Sequence, residues 1–112
     1  MFIAKHELHL GPHVVVPDIS GWKVERYPVN ETTTFSVVPP DWLCEVLSPS
    51  TKRLDRFQKL LIYAEYGVKH CWYVDPIEKT LEAFILSEGA YKIGPDFADS
   101  DLVSVYRALE VD

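Results

Sequence analysis

The segment from Pro40 to Pro76 constrains the fold of this chain more than any other part of the sequence: PDWLCEVLSPSTKRLDRFQKLLIYAEYGVKHCWYVDP. It combines an almost continuously apolar run at 41–47, a run with helical periodicity over about 52–66, and a second apolar run at 71–74. A strand–helix–strand unit of this length normally makes a right-handed crossover. The two strands are therefore predicted to be parallel neighbours in one sheet.

The first of these strands carries a carboxylate among apolar residues. Successive side chains of a strand alternate between faces, which separates Asp41, Leu43, Glu45 and Leu47 from Trp42, Cys44 and Val46. A strand this apolar is expected to be covered on both faces. Because a charge buried there is costly unless another group pairs with it, Glu45 is a candidate functional residue.

The predicted helix runs from about Lys52 to Tyr66 and stops at Gly67, a residue suited to the left-handed conformation that closes many helices. Apolar residues recur along it at spacings of three and four: Leu54, Phe57, Leu61 and Ala64. A stripe of this kind is expected to pack on the sheet.

Asp55 and Lys59 lie four residues apart on this helix and therefore share a face. One interpretation is an ordinary surface ion pair, which stabilises a helix by about a few tenths of a kcal/mol. The other is a functional pair, in which Asp55 holds the ammonium group of Lys59 in place. The spacing alone favours the surface ion pair.

The remaining elements indicate a mixed β-sheet in a single α/β (α+β) domain covering residues 1–112. Further strands are predicted at Phe2–Leu10, Val14–Ser20, Thr80–Leu86 and Ala90–Ile93, with a final edge strand at Leu102–Val111. Residues 27–39 are polar and flanked by prolines, and they are predicted to form a loop.

The composition fits one globular domain. The chain has 112 residues, of which 47% are hydrophobic, and this excludes a disordered protein. No apolar run approaches the roughly 18 residues of a membrane span, and the N-terminus lacks the apolar core of a signal peptide. A cytoplasmic location is expected, in which Cys44 and Cys71 remain reduced and buried within strands.

The charge is unevenly distributed. The net charge of −6 argues against a general nucleic-acid coat protein, since neutralising phosphates requires a basic surface. Basic residues nevertheless cluster around the start of the predicted helix: Lys52, Arg53, Arg56 and Lys59. Acidic residues are concentrated in the C-terminal segment: Asp96, Asp99, Asp101, Glu110 and Asp112. The basic cluster is either a local phosphate-binding patch or a solvated helix face.

Five motifs, in this order, resemble those of the Uma-two family of restriction endonucleases, a branch of the PD-(D/E)XK superfamily. The matching segments are VVVPDISGW at Val14–Trp22, PDWLCEVLSPST at Pro40–Thr51, DRFQK at Asp55–Lys59, YAEYGV at Tyr63–Val68 and WYVDP at Trp72–Pro76. Their order and spacing fit from about Glu7 to about Leu86. The resemblance implies a restriction-endonuclease-like fold.

The resemblance also implies a Mg²⁺-dependent endonuclease that cleaves DNA, with Mn²⁺ as a substitute metal. Asp18, which shares a strand face with Val14 and Val16, and Glu45 would be the metal ligands, and the backbone carbonyl of Val46 would complete the set. Two carboxylates suit Mg²⁺, which prefers oxygen ligands and keeps several waters. Lys59 would position the attacking water while Asp55 holds its ammonium group in place, since the motif context favours the functional pair over the surface ion pair. Trp22 would either pack under the sheet or rest on DNA.

The chain departs from the superfamily pattern at two points. The position two residues after Glu45, where the superfamily usually has a lysine, is Leu47, and this nominates Lys59 for that role. Family members usually carry an additional N-terminal portion, so this chain is expected to be a shortened form that leaves apolar surface uncovered. A homodimer with contacts near Phe2–Leu10 is the expected consequence.

One alternative function stays open. The chain could be a catalytically inactive nuclease-like remnant that serves as a binding or oligomerisation module. A metal site formed by histidines is disfavoured, because His6 and His9 on one strand point to opposite faces.

Overall fold

The computed structural model describes residues 1–27, 35–49 and 53–93, which form nine strands and one α-helix. The strands are β1 (Phe2–Ala4), β2 (Glu7–Leu10), β3 (His13–Val15), β4 (Ile19–Gly21), β5 (Phe35–Ser36), β6 (Trp42–Val46), β7 (His70–Asp75), β8 (Thr80–Ser87) and β9 (Ala90–Ile93). The helix, α1, spans Arg53–Glu65. The strand expected at Leu102–Val111 lies outside the described residues. Among the residues described, no helix is long and apolar enough to cross a bilayer.

The main sheet is mixed, as the sequence predicts. Its six strands lie in the order β1-β4-β6-β7-β8-β9. Strands β6 and β7 are parallel, with Glu45 opposite Tyr73, and the other neighbouring pairs are antiparallel. Helix α1 connects the two parallel strands, so the expected strand–helix–strand crossover is confirmed. A second sheet of three strands has the order β3-β2-β5.

The prediction of one continuous strand over Phe2–Leu10 is wrong. Lys5 adopts a positive φ of 51°, which turns the chain between β1 and β2 and sends these strands into different sheets. The backbone N–H of Lys5 donates a hydrogen bond to the carbonyl of Asp18 at 3.0 Å, so the turn is anchored to the segment before β4. The strand over Val14–Ser20 was predicted with an interruption at Pro17, and this is confirmed: β3 ends at Val15 and β4 begins at Ile19, because Pro17 has no N–H to contribute to a ladder.

The core lies between the two sheets and the inner face of α1. Its main cluster contains Leu8, Leu10, Val15, Trp22, Leu43, Tyr63, Val68 and Cys71. The Trp22 side chain is only 3% exposed, and its indole N–H donates to the carbonyl of Val38 at 3.0 Å. Trp22 is therefore a core residue and not a surface for DNA. Cys44 and Cys71 are both free and buried, and burial raises the pKa of each thiol to about 12.

The prediction that the stripe of Leu54, Phe57 and Leu61 packs on the sheet is wrong. Leu54, Phe57 and Leu61 are 57–63% exposed, whereas Tyr63 on the other side of the helix is fully buried. The inner side is occupied by Tyr63 together with Lys59, whose polar atoms reach Glu45 on β6. Both side chains have an apolar body and a polar tip, so they can form a packing face while keeping their polar atoms paired.

The exposed apolar residues of α1 form one wall of an open groove of about 830 Å³. The opposite wall comes from the β8–β9 hairpin, with Phe84 and Tyr91 among its residues. The lining of this groove is mostly apolar but includes Arg53 and Arg56, and it does not include Asp18, Glu45 or Lys59.

Candidate functional site

Asp18, Glu45 and Lys59, which the sequence nominates as site residues, line one cavity of about 200 Å³. Asp18 lies immediately before β4, Glu45 is on β6, and Lys59 is on the inner side of α1. Because β4 and β6 are neighbours and α1 covers β6, the topology brings these three distant segments to one place. The other lining residues are Val16, Val46, Leu47, Asp55, Arg56 and Tyr73.

Glu45 is the most buried of the acidic and basic side chains in this cavity, with 7% of its surface exposed. Its Oε2 atom accepts hydrogen bonds from the Lys59 ammonium at 3.1 Å and from the Tyr63 hydroxyl at 3.4 Å. Burial raises the pKa of the Glu45 carboxyl, and this outweighs the lowering by Lys59, while the negative charge of Asp18 raises it further. Burial also raises the pKa of Tyr63, so the hydroxyl remains a donor.

Asp18 is tied to the end of β6. Its Oδ2 atom accepts a hydrogen bond from the backbone N–H of Val46 at 2.7 Å, and its Oδ1 atom forms an ion pair with Lys5. The N–H and C=O of one residue in an extended strand point to the same edge. The carbonyl of Val46 is therefore directed to the same side as Asp18.

These donors fit a hard divalent cation. Two carboxylates and one carbonyl are oxygen ligands of the kind that Mg²⁺ accepts, and so small a protein set leaves coordination positions for water and substrate. No group of three or more His, Cys, Asp or Glu residues with metal-binding geometry occurs in the part of the chain that the structure describes. The three histidines near the N-terminus, for which a shared metal site was disfavoured, have separate surroundings: His6 contacts Ser36, His9 pairs with Glu7, and His13 packs edge-on against Tyr66.

The expectation that Asp55 holds Lys59 is not met. The ion pair of Lys59 in the described structure is with Glu45, and Asp55 is an exposed residue at the cavity wall. An i,i+4 spacing permits contact but does not require it. The Lys59 ammonium turns to the buried carboxylate instead, because charge–charge attraction is stronger where less water screens it.

Sequence reasoning assigned no site role to Tyr63, and it placed Arg56 only in the basic cluster that is either a phosphate-binding patch or a solvated helix face. Both residues accompany Lys59 at the site: Tyr63 shares its bond to Glu45, and Arg56 lines the same cavity. Tyr63 is four residues after Lys59 and Arg56 is three residues before it, so the helical period alone places them on the same side of α1. This spacing was a usable signal. It was obscured because the apolar stripe led to the opposite face of the helix.

Comparisons with known proteins identify the family and the fold of this chain. The model of the Uma2 family, described as "Putative restriction endonuclease", matches residues 3–112. A solved structure of a nuclease from Anabaena variabilis ATCC 29413, described as putative and as belonging to DUF820, superposes with a TM-score of 0.74 at 23% identity. The match covers 92% of this chain and 67% of that one. No protein in the curated set matches this chain. Since the family match covers nearly the whole sequence, this chain belongs to the Uma2 family and has the fold of that nuclease-like structure.

Proposed function

We propose that this chain is a Mg²⁺-dependent endonuclease of the PD-(D/E)XK type that hydrolyses phosphodiester bonds of DNA. The observation that carries the proposal is the cavity shared by Asp18, Glu45 and Lys59, since it combines two carboxylates with a lysine at a semi-enclosed site. Membership of the Uma2 family supports the same reaction class.

Asp18, Glu45 and the Val46 carbonyl are the residues that would hold Mg²⁺. When bound, the metal would supply positive charge to stabilise the phosphorane-like transition state and to acidify a water molecule. Hydrogen bonds within the protein already hold both carboxylates in position. Asp18 is fixed by the Val46 N–H, and Glu45 is fixed by Lys59 and Tyr63 through a single oxygen, so its other oxygen is not engaged by these two donors.

Lys59 is the residue proposed to orient the attacking water and to offset negative charge that develops on the phosphate oxygens. Its ammonium group lies within 3.1 Å of Glu45, and its side chain is 42% exposed. This partial exposure keeps it accessible from the cavity. Arg56 and Tyr73 border the same space and would limit the access of bulk water.

The direct test is cleavage of supercoiled plasmid by the purified chain. Nicked and linear products are expected with Mg²⁺ or Mn²⁺ and not with EDTA, and a single-stranded RNA of matched length tests the preference for DNA. Titration with Mn²⁺, followed by electron paramagnetic resonance, should give binding that is lost in Asp18→Asn. Absence of both binding and cleavage would overturn the proposal.

A second candidate is a nuclease-like module that is inactive and serves in binding or self-association. The exposed apolar groove on α1 and the exposed Phe2 on the edge strand β1 favour it, because uncovered apolar surface is a common basis of association.

We expect a homodimer with contacts near Phe2–Leu10. Sedimentation at micromolar concentration checks this, and a Phe2→Ser variant should shift the equilibrium towards monomer. A monomer of 12.8 kDa at all concentrations would contradict it.

A further inference from the structure

The guanidinium group of Arg56 has no hydrogen-bond acceptor in the part of the chain that the structure describes. Its nearest acidic neighbour is Glu82, whose Oε1 atom lies 3.8 Å from Nη1. This separation is an ion-pair distance and too long for a hydrogen bond. Because a guanidinium has five N–H donors in a rigid planar fork, Arg56 offers a set of donors available to a ligand.

The position of this group is nevertheless fixed. Its central carbon lies 5.8 Å from the centre of the Tyr73 ring, within the range of a cation–π contact. The Tyr73 hydroxyl donates to the backbone carbonyl of Arg56 at 3.1 Å. One buried tyrosine therefore holds both the backbone and the charged end of Arg56, and little conformational entropy would be lost when an anion binds.

Arg56 borders two polar cavities in addition to the groove on α1. It lines the 200 Å³ cavity of Asp18, Glu45 and Lys59, and it also lines a cavity of about 140 Å³. The other residues around the second cavity are Leu47, Ser48, Arg53 and Asp75. Asp75 is the acidic group on this wall, and its Oδ1 atom already accepts the backbone N–H groups of Ile77 and Glu78 at 3.0 and 3.1 Å.

The basic residues of α1 follow the direction from one cavity to the other. Arg53, Arg56 and Lys59 recur every three residues, so they lie along one side of the helix with a rise of about 4.5 Å per step. This rise is of the same order as the axial rise of about 3.4 Å per phosphate along one nucleic-acid strand. A row of this kind suits an extended polyanion better than a single small anion.

We propose that Arg56 binds the backbone phosphate next to the one that is cleaved, in the 140 Å³ cavity, and thereby sets the direction in which the strand crosses the site. This assignment rests on the proposed function, since it takes the Asp18–Glu45 cavity as the position of the cleaved phosphate. It specifies the substrate as an internal phosphodiester with a flanking phosphate. Arginine is suited to this contact, because its fork binds two phosphate oxygens at once.

The test compares three arginine variants in DNA binding without cleavage. A fluorescent 20-base-pair duplex is titrated in EDTA with the wild type, Arg56→Gln, Arg56→Lys and Arg26→Gln, and the anisotropy is followed over a salt series. Arg26 is the matched control, because its guanidinium is already engaged by Asp41 at 2.5 Å and by the carbonyl of Pro39 at 3.0 Å. Melting temperatures establish that each variant is folded.

Arg56→Gln is expected to weaken binding about tenfold, as for loss of one charge-assisted contact. The slope of log affinity against log salt should become shallower by about 0.9, because one phosphate is no longer neutralised. Arg56→Lys should retain the wild-type slope with weaker binding, since it keeps the charge and loses the fork. Arg26→Gln should match the wild type.

The outcomes separate this inference from the proposed function. If the wild type cleaves DNA while Arg56→Gln and Arg26→Gln bind it equally well, the Arg56 assignment is overturned and the nuclease proposal stands. If the wild type does not cleave but its DNA binding depends on Arg56, the phosphate site is supported and the nuclease proposal is overturned. If the wild type cleaves DNA but does not bind it in EDTA, the Arg56 assignment is overturned and the nuclease proposal stands. If it neither cleaves nor binds DNA, both are overturned.

Discussion

Replacing Glu45 with glutamine is expected to abolish metal-dependent DNA cleavage, with a loss of at least about a thousandfold in rate, while the fold is kept. Glutamine has nearly the shape of glutamate but lacks the negative charge that a divalent cation needs from its ligands. Loss of an electrostatic group at a transition state typically costs about 10²–10³ in rate, and loss of the metal ligand adds to this. Plasmid cleavage in Mg²⁺ over a protein concentration series measures the effect.

The same variant should be at least as stable as the wild type when metal is absent. Burial raises the pKa of Glu45 in the folded protein above its ordinary value of 4.5, so the ionised carboxylate destabilises the folded state at neutral pH. The ion pair with Lys59 lowers the pKa of Glu45 by less than burial raises it, so the ionised carboxylate still destabilises the folded state. Lys59 is 42% exposed, so its ammonium can be hydrated once the carboxylate is gone. Urea unfolding in EDTA at pH 7 should show equal or greater stability for Glu45→Gln, and the difference should vanish as the pH falls below 4.5.

Glu65→Gln is the matched control, because Glu65 is exposed at the end of α1 and takes no part in the cavity. It should cleave DNA at the wild-type rate. Wild-type cleavage by Glu45→Gln would remove Glu45 from the mechanism, and a marked loss of stability in EDTA would mean that its charge is more fully paired than its burial indicates.

The parts of the fold that could be predicted from the sequence depend on local patterns. The apolar run ending at Val46, the helical run after it and the apolar run ending at Val74 fixed a parallel pair of strands, because a crossover of this length has one usual hand. Strand alternation also placed Glu45 on the same face as Leu43, which is the side that α1 covers. These two rules did not bring Lys59 to Glu45, because the predicted packing stripe lies on the side of α1 opposite Lys59. The family resemblance was what nominated Lys59.

The parts that could not be predicted depend on tertiary packing. A spacing of three and four identifies an apolar stripe on a helix, but it does not show which side turns to the sheet. In α1 the side that turns to the core carries Tyr63, with Leu60 packed against the same cluster, and it also brings Lys59 to Glu45. The stripe through Phe57 is exposed instead. The break between β1 and β2 was hidden for a similar reason, since a positive φ at a lysine leaves no compositional signal.

A pair of leucine-to-alanine substitutions tests this packing directly. Leu8→Ala is expected to destabilise the protein by about 2–5 kcal/mol, because Leu8 is fully buried on β2 and its loss leaves a cavity in the core. Leu61→Ala, which removes the same atoms, is expected to change stability by less than about 0.5 kcal/mol, because Leu61 is 57% exposed on α1 and alanine favours the helix. Urea denaturation at low protein concentration, where association does not contribute, gives both values. A large loss in Leu61→Ala would mean that the apolar face of α1 is covered in solution, and a small loss in Leu8→Ala would mean that the three-stranded sheet is not part of the core.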